Sequence, residues 1–178
     1  MAHYTSYMSA TTLLSLEEYL ATTYRPDCDY IDGLLLERNV GTKDHSKLQR
    51  NVLAWFIARR DAYRTAEFPE QRVRVAARRY RIPDICIVRQ PEPDEQIFTA
   101  PPYICIEVLS PDDSFPSMQN RFDDYLAMGV ANIWVLDPAS KRGWRITRDG
   151  HFEARDSVLR TTDGEIEMPI AELFPHRA

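Results

Sequence analysis

Cysteine is scarce in this 178-residue sequence: there are three, Cys28, Cys86 and Cys105, and none stands in a CxxC pair. An odd set at such spacing supports neither a disulfide framework nor a zinc cage. Cys86 and Cys105 fall inside apolar runs, where a free thiol behaves as a small hydrophobe, so both are expected in the core. Long apolar runs are missing as well. None approaches the roughly 20 residues that span a bilayer, and Met1 to Ala10 has neither a basic start nor a long apolar stretch. A cytoplasmic protein with no membrane association is expected. An overall positive charge is also lacking: the net charge is −5, which argues against nucleic-acid binding spread over the whole surface. No internal repeat and no second domain is visible.

What is present is the balance of a globular chain, 44% hydrophobic and 28% charged, in a length that suits one domain with its own core. Residues 13–178 are expected to form that domain, after a flexible N-terminal segment 1–12. Ser15 stands three positions before Glu18, a capping-box pattern that predicts a short helix to about Thr22. Asp32-Gly33 between Tyr30-Ile31 and Leu34-Leu35-Leu36 is a hairpin signal. Leu48, Val52, Trp55 and Phe56 recur at helical spacing and predict an amphipathic helix from Asp44, its expected cap, to about Arg60. Gln71 to Val75 alternates polar with apolar and reads as a half-exposed strand.

Two further runs, Ile82–Val88 and Tyr103–Leu109, are apolar on both faces, as central strands of a covered sheet are. A helix is expected over Ser117–Met128, closed by Gly129 and burying Met118, Phe122, Tyr125 and Leu126, followed by a buried strand at Ile133–Leu136. Strand, helix and strand in that order form a crossover, so the Glu107 and Trp134 strands should be parallel; the earlier strands are joined tightly enough to be antiparallel. Asp149-Gly150 and Asp163-Gly164 predict terminal hairpins.

Each central run contains one acid, Asp84 in the first and Glu107 in the second. Ionised carboxylates rarely sit among apolar residues unless they are paired or bind a cation. On neighbouring strands their oxygens could meet at one sheet edge and hold a hard cation such as Mg²⁺. Alternatively, Asp84 caps a strand end after Pro83 and Glu107 pairs with a buried arginine. A second feature is a basic stretch: Arg59, Arg60, Arg64, Arg72, Arg74, Arg78, Arg79 and Arg81 are opposed only by Asp61, Glu67 and Glu70. It suits either a phosphate-contacting surface or a solvated helix end and strand face. Ser110 as a nucleophile has no elbow and no fitting histidine and acid partners.

Pro83-Asp84 and Glu107 resemble the PD-(D/E)XK nuclease superfamily, the restriction-endonuclease-like fold. In it one strand supplies Pro-Asp, and the next supplies an acid followed two positions later by lysine. More closely, the chain resembles the Uma-two family of putative restriction endonucleases. The resemblance is carried by Arg81-Ile82-Pro83-Asp84, Glu107-Val108-Leu109-Ser110-Pro111, and Gly129-Val130 through Trp134-Val135-Leu136-Asp137-Pro138, and it runs from about Leu14 to Phe174. It implies an α/β fold with a mixed β-sheet core flanked by helices and additional N-terminal and C-terminal hairpins.

The same resemblance implies metal-dependent phosphodiester hydrolysis, of DNA rather than RNA. Mg²⁺, with Mn²⁺ as a substitute, would be held by Asp84, Glu107 and the Val108 carbonyl. The superfamily's lysine falls here at Leu109, and the cation moves to Arg121, four residues before Tyr125; arginine can stabilise a phosphate but is a poor general base. Asp29 takes the place of a family glutamate before the hairpin turn, and His45 matches a histidine at the start of the long helix. Arg72, Arg74, Arg78 and Arg79 would seat the nucleic-acid backbone. A homodimer would match a twofold duplex site, although no interface is legible. The rival reading keeps the nuclease fold as a non-catalytic nucleic-acid-binding or assembly module.

Overall fold

The computed structural model describes residues 13–38 and 41–175, so the expected flexible segment 1–12 lies outside the described residues. α1 (Leu16–Ala21) starts as its capping pattern requires, with Ser15 Oγ accepting from Glu18 N at 3.1 Å. β1 (Cys28–Ile31) and β2 (Leu34–Glu37) form the expected hairpin, turned by Asp32 and Gly33 at φ 52° and 101°. Two successive positive φ values match the right-handed twist of the strands they join. α2 (Lys43–Ile57) is capped by Thr42 Oγ1, which accepts from His45 N at 3.3 Å, and not by Asp44 as expected. It stops at Ile57, and a separate turn, α3 (Arg60–Tyr63), follows.

The remaining strands are β3 (Thr65–Pro69), β4 (Val73–Ala76), β5 (Arg79–Arg81), β6 (Ile85–Arg89) and β7 (Ile104–Val108). After α4 (Phe115–Met128) come β8 (Asn132–Asp137), β9 (Arg142–Thr147), β10 (Gly150–Glu153), β11 (Val158–Arg160) and β12 (Glu167–Pro169). A six-stranded mixed sheet runs β10-β9-β8-β7-β6-β3, in which β7 and β8 are parallel, as expected of a crossover through α4, and the other pairs antiparallel. A smaller antiparallel sheet runs β2-β1-β5-β4, and β11 pairs with β12. α4 is closed at one end by a Ser114–Ser117 capping box and at the other by Gly129 at φ 100°, a left-handed conformation that glycine adopts without penalty.

Strand periodicity assigns the faces of the large sheet. Ile85, Ile87, Ile104, Ile106 and Val108 pack with Leu48, Val52, Trp55 and Phe56 of α2. Cys86, Val88 and Cys105 pack with Met118, Phe122 and Tyr125 of α4. Glu107 alternates with Ile106 and Val108, so it stands on the α4 face. The three cysteines are free and buried, as expected.

One strand assignment is corrected. Ile82–Val88 is not one strand: β5 ends at Arg81 in the small sheet and β6 begins at Ile85 in the large one. Pro83, which has no N–H to give a ladder, lies in the crossing, and this places Asp84 at the joint between the sheets. β9 and β10 form the hairpin expected at Asp149-Gly150, and through the pairing of β9 with β8 it extends the large sheet. β3 was hidden because its Thr-Ala-Glu-Phe-Pro sequence lies within the basic stretch and lacks an apolar alternation. Among the described residues no helix is long and apolar enough to cross a membrane.

Candidate active site

The joint at Asp84, the end of β7, the start of α2 and the middle of α4 meet in a cavity of about 260 Å³. Asp84, Glu107, Val108, Arg121, Asp29 and His45, six residues separated widely in sequence, all line it. Asp84 is held from several sides. Its Oδ2 accepts from Val108 N at 2.7 Å and lies 3.2 Å from His45 Nε2, while its Oδ1 accepts from the Arg38 guanidinium. Its own carbonyl accepts from Gln49 Nε2 at 2.9 Å and Glu70 N at 3.1 Å. His45 is packed against bare backbone: a Cβ on Gly41 would stand 2.9 Å from its Nδ1.

Glu107 accepts from the Tyr125 hydroxyl at 2.6 Å and from Arg121 Nη1 at 3.0 Å. Burial is the main reason its carboxyl is raised to about 7; the Asp84 charge adds to this, while Arg121, Arg38 and Tyr125 oppose it. Asp84 goes the other way. Burial alone would raise it, but His45, Arg38 and the Val108 amide hold it below the ordinary carboxylate value. Burial would lower His45, yet its hydrogen bond to Asp84 and that residue's charge raise it above the ordinary imidazole value.

These shifts have a sign. A carboxyl raised in the folded chain contributes stability that is fully present below its unfolded value, 4.5, and is lost as pH rises through about 7. His45, also raised, acts in the same direction as pH climbs past its elevated value. Asp84 acts oppositely and only in acid, losing its contribution as pH falls through its lowered value. Metal-free protein is therefore expected to be more stable near pH 5.5 than near pH 8 by about 2 kcal/mol, and Glu107→Gln should remove most of the difference. Urea unfolding at the two pH values checks this; a wild-type chain equally stable at both would contradict it.

Asp29 reaches the cavity wall from β1 with its lone pairs already engaged. Oδ1 accepts from Ile82 N at 3.0 Å, and Oδ2 from Arg81 Nη1 at 3.0 Å and Arg121 Nη2 at 2.9 Å. Arg121 thus bridges Asp29 and Glu107, and tying its guanidinium to both fixes it beside the acids. The side chain of Asp29 is fully buried, which suits a positioning group more than a direct ligand.

The basic stretch is dispersed. Arg59 pairs with Glu172, Arg60 with Glu67, and Arg81 is buried between Asp29 and Asp124. Of the four arginines expected to contact a nucleic-acid backbone, Arg79 pairs with Asp32 and Asp124, and Arg72 lies 4.6 Å over the Tyr19 ring. Arg74 and Arg78 are exposed and form no ion pair among the described residues.

Three functional groups escaped the sequence reading. Arg38, just beyond β2, pairs with Asp84; Asp124 of α4 is buried and binds Arg79 and Arg81; and the Tyr125 hydroxyl, expected only as core, anchors Glu107. Asp124 had a usable signal. Positions 121, 124, 125 and 128 share one helix stripe, so two charged residues lie on the same side of α4 as buried Tyr125.

Among the described residues no group of three or more His, Cys, Asp or Glu side chains is arranged to hold a metal ion. Asp84 and Glu107 are the donors the resemblance implies for a hard cation, and Val108, whose carbonyl it implies as a third, lines the same cavity. Their chemistry fits: they are buried oxygen donors, and the Asp84 charge raises the Glu107 carboxyl, so a divalent cation between them would relieve a repulsion that already exists. Water and phosphate oxygens would have to complete such a shell.

Residues 16–174 match the model of the Uma2 family, described as putative restriction endonuclease. No curated protein matches the chain significantly. A crystal structure of "a putative nuclease belonging to DUF820" from Anabaena variabilis ATCC 29413 superposes with a TM-score of 0.76. It covers 90% of this chain and 97% of that one at 22% identity, a likeness that shows a common fold.

Proposed function

The chain belongs to the Uma2 family, and from that membership together with the meeting of Asp84 and Glu107 at one cavity we propose that it hydrolyses phosphodiester bonds of nucleic acid, in DNA by family resemblance, with a divalent metal ion. The observation that carries this reading is the buried acid pair, Asp84 at the joint between the sheets and Glu107 near the end of β7, which line one cavity. Asp84 and Glu107 would hold Mg²⁺ or Mn²⁺, with the Val108 carbonyl. A bound ion of this kind supplies Lewis acidity at a phosphoryl oxygen and makes water more acidic.

The rest of the chemistry belongs to side chains. Arg121, fixed between Asp29 and Glu107, presents a permanent positive charge that can neutralise a phosphate in the transition state. Its high pKa excludes it from taking a proton from water. His45, touching Asp84 and held above the ordinary imidazole value by that contact, is the group here best suited to move a proton. Exposed Arg74 and Arg78 offer backbone phosphate contacts that carry no sequence information.

The test is incubation of purified protein with supercoiled plasmid in Mg²⁺ or Mn²⁺, beside Asp84→Ala. Nicking by the wild type alone is expected. Equal nicking by both proteins would assign the activity to a contaminant and sink this site.

One observation favours a second reading. Both carboxylates are engaged by arginines, and Leu109 stands where the superfamily has lysine, an arrangement that also suits a binding or assembly module without turnover. Arg121→Lys separates the two. A gain of plasmid cleavage would mark a weakened enzyme, whereas no cleavage together with no calorimetric Mg²⁺ binding would favour the module.

A further inference from the structure

Asp84 offers its two oxygens unequally. Oδ2 is fixed by donors on regular elements, the Val108 amide at the end of β7 and His45 in the first turn of α2. Oδ1 is held, among the described residues, by the Arg38 guanidinium alone. A cation entering between Asp84 and Glu107 therefore has one oxygen of Asp84 to take, and Arg38 already occupies it. The Arg38 backbone is tied down, its N–H donating to Asp27 O at 3.1 Å, but its side chain is a long stem with several torsions. There is space to swing. Arg38, His45 and Asp84 form a wall between the main cavity and a second one of about 220 Å³, so the guanidinium has room on both sides.

The charges give it a destination. The main cavity is lined by five carboxylates and four guanidiniums. A dication between Asp84 and Glu107 would offset both their charges and leave Arg38 without the acid it pairs with, and a phosphodiester is an anion that can replace it. Arg38 and Arg121 face the same acids and repel one another, so a phosphate between them would satisfy both forks.

Resting on the metal-dependent reading above, we propose that Arg38 is a latch with two seats: it occupies Asp84 Oδ1 while the site is free of metal, and transfers to a phosphate of the nucleic-acid backbone once a divalent cation takes that oxygen. The latch keeps Asp84 neutralised at rest and couples metal entry to substrate grip. Arg38 is then both a competitor of the metal and a ligand of the phosphate.

Calorimetric titration tests this with MgCl₂ alone and then with inorganic phosphate at saturating Mg²⁺, using the full chain. Arg38→Gln should bind Mg²⁺ roughly tenfold more tightly and phosphate roughly tenfold more weakly than the wild type. Effects of opposite sign are the signature, since a residue that merely supports the fold would weaken both. Mg²⁺ affinity unchanged or reduced in Arg38→Gln, with wild-type binding intact, overturns the latch and leaves the metal site standing. No Mg²⁺ binding by either protein overturns both. Should Arg38→Gln fail to fold, ¹⁵N spectra of the wild-type arginine side chains replace it, with Arg38 identified by its loss in Arg38→Lys. Its guanidinium signal should move on adding Mg²⁺ before any phosphate, and a signal unmoved at saturating Mg²⁺ overturns the proposal.

Discussion

Asp29→Ala is expected to destabilise the protein by about 3–5 kcal/mol, the scale for removing one partner of a buried ion pair. The carboxylate of Asp29 is fully buried and serves three donors, the guanidiniums of Arg81 and Arg121 and the Ile82 amide. Alanine would leave the Ile82 amide buried without its acceptor and each guanidinium short of one. Arg81 retains Asp124 and Arg121 retains Glu107, which sets the lower end of the range. The upper end applies if the hole cannot admit water to the stranded groups. Against a total stability of about 5–15 kcal/mol for a typical domain, such a loss moves the urea midpoint far enough to read without ambiguity. Asp29→Asn should cost less, because the amide oxygen still accepts while its NH₂ faces a guanidinium. A midpoint within experimental error of the wild type for Asp29→Ala would mean that Asp29 is not the hub linking the small sheet to α4.

Glu107→Gln is expected to combine a catalytic collapse with little loss of stability. Plasmid nicking in Mg²⁺ should fall by about 10²–10³-fold or more, the scale of losing one strong electrostatic contributor to a transition state. Stability near pH 8 should be no lower than that of the wild type. The ionised Glu107 carboxylate is itself costly in its buried place, as its pKa of about 7 records, and a neutral amide avoids that cost while still accepting from Tyr125 or Arg121. Function and stability would then part at this residue, the pattern of an acid kept for chemistry. A variant that loses activity only because it unfolds, seen as a matching fall in the urea midpoint, would show Glu107 to be a structural ion-pair member instead.

The acid pair was legible because each residue violates the apolar pattern of its own run, and such a violation is a local signal. The crossover through α4, the hairpin at Asp32-Gly33 and the Ser15 cap were legible for the same reason, since periodicity and turn chemistry act within a few residues. Arg38 was not. It meets Asp84 across 46 residues of sequence, from a position past a strand of exposed leucines where an arginine looks like ordinary surface. The basic stretch misled in the opposite sense. Its arginines read as one cationic feature, but Arg59, Arg60, Arg79 and Arg81 each find carboxylates from distant or adjacent segments, and only the fold decides which positive charges remain to be used. Asp84 shows a third limit. Its chemistry could be read from Pro83-Asp84, whereas its place at a joint between two sheets, open to α2 and β2, depends on where β5 stops pairing.

The central claim is that Asp84 and Glu107 together hold a divalent cation, and anomalous diffraction from crystals soaked in Mn²⁺ tests it most directly. One peak per chain is expected, bonded to a carboxylate oxygen of each residue and absent from Asp84→Asn crystals soaked in the same way. No peak at saturating Mn²⁺, or a peak that persists unchanged in Asp84→Asn, would contradict it.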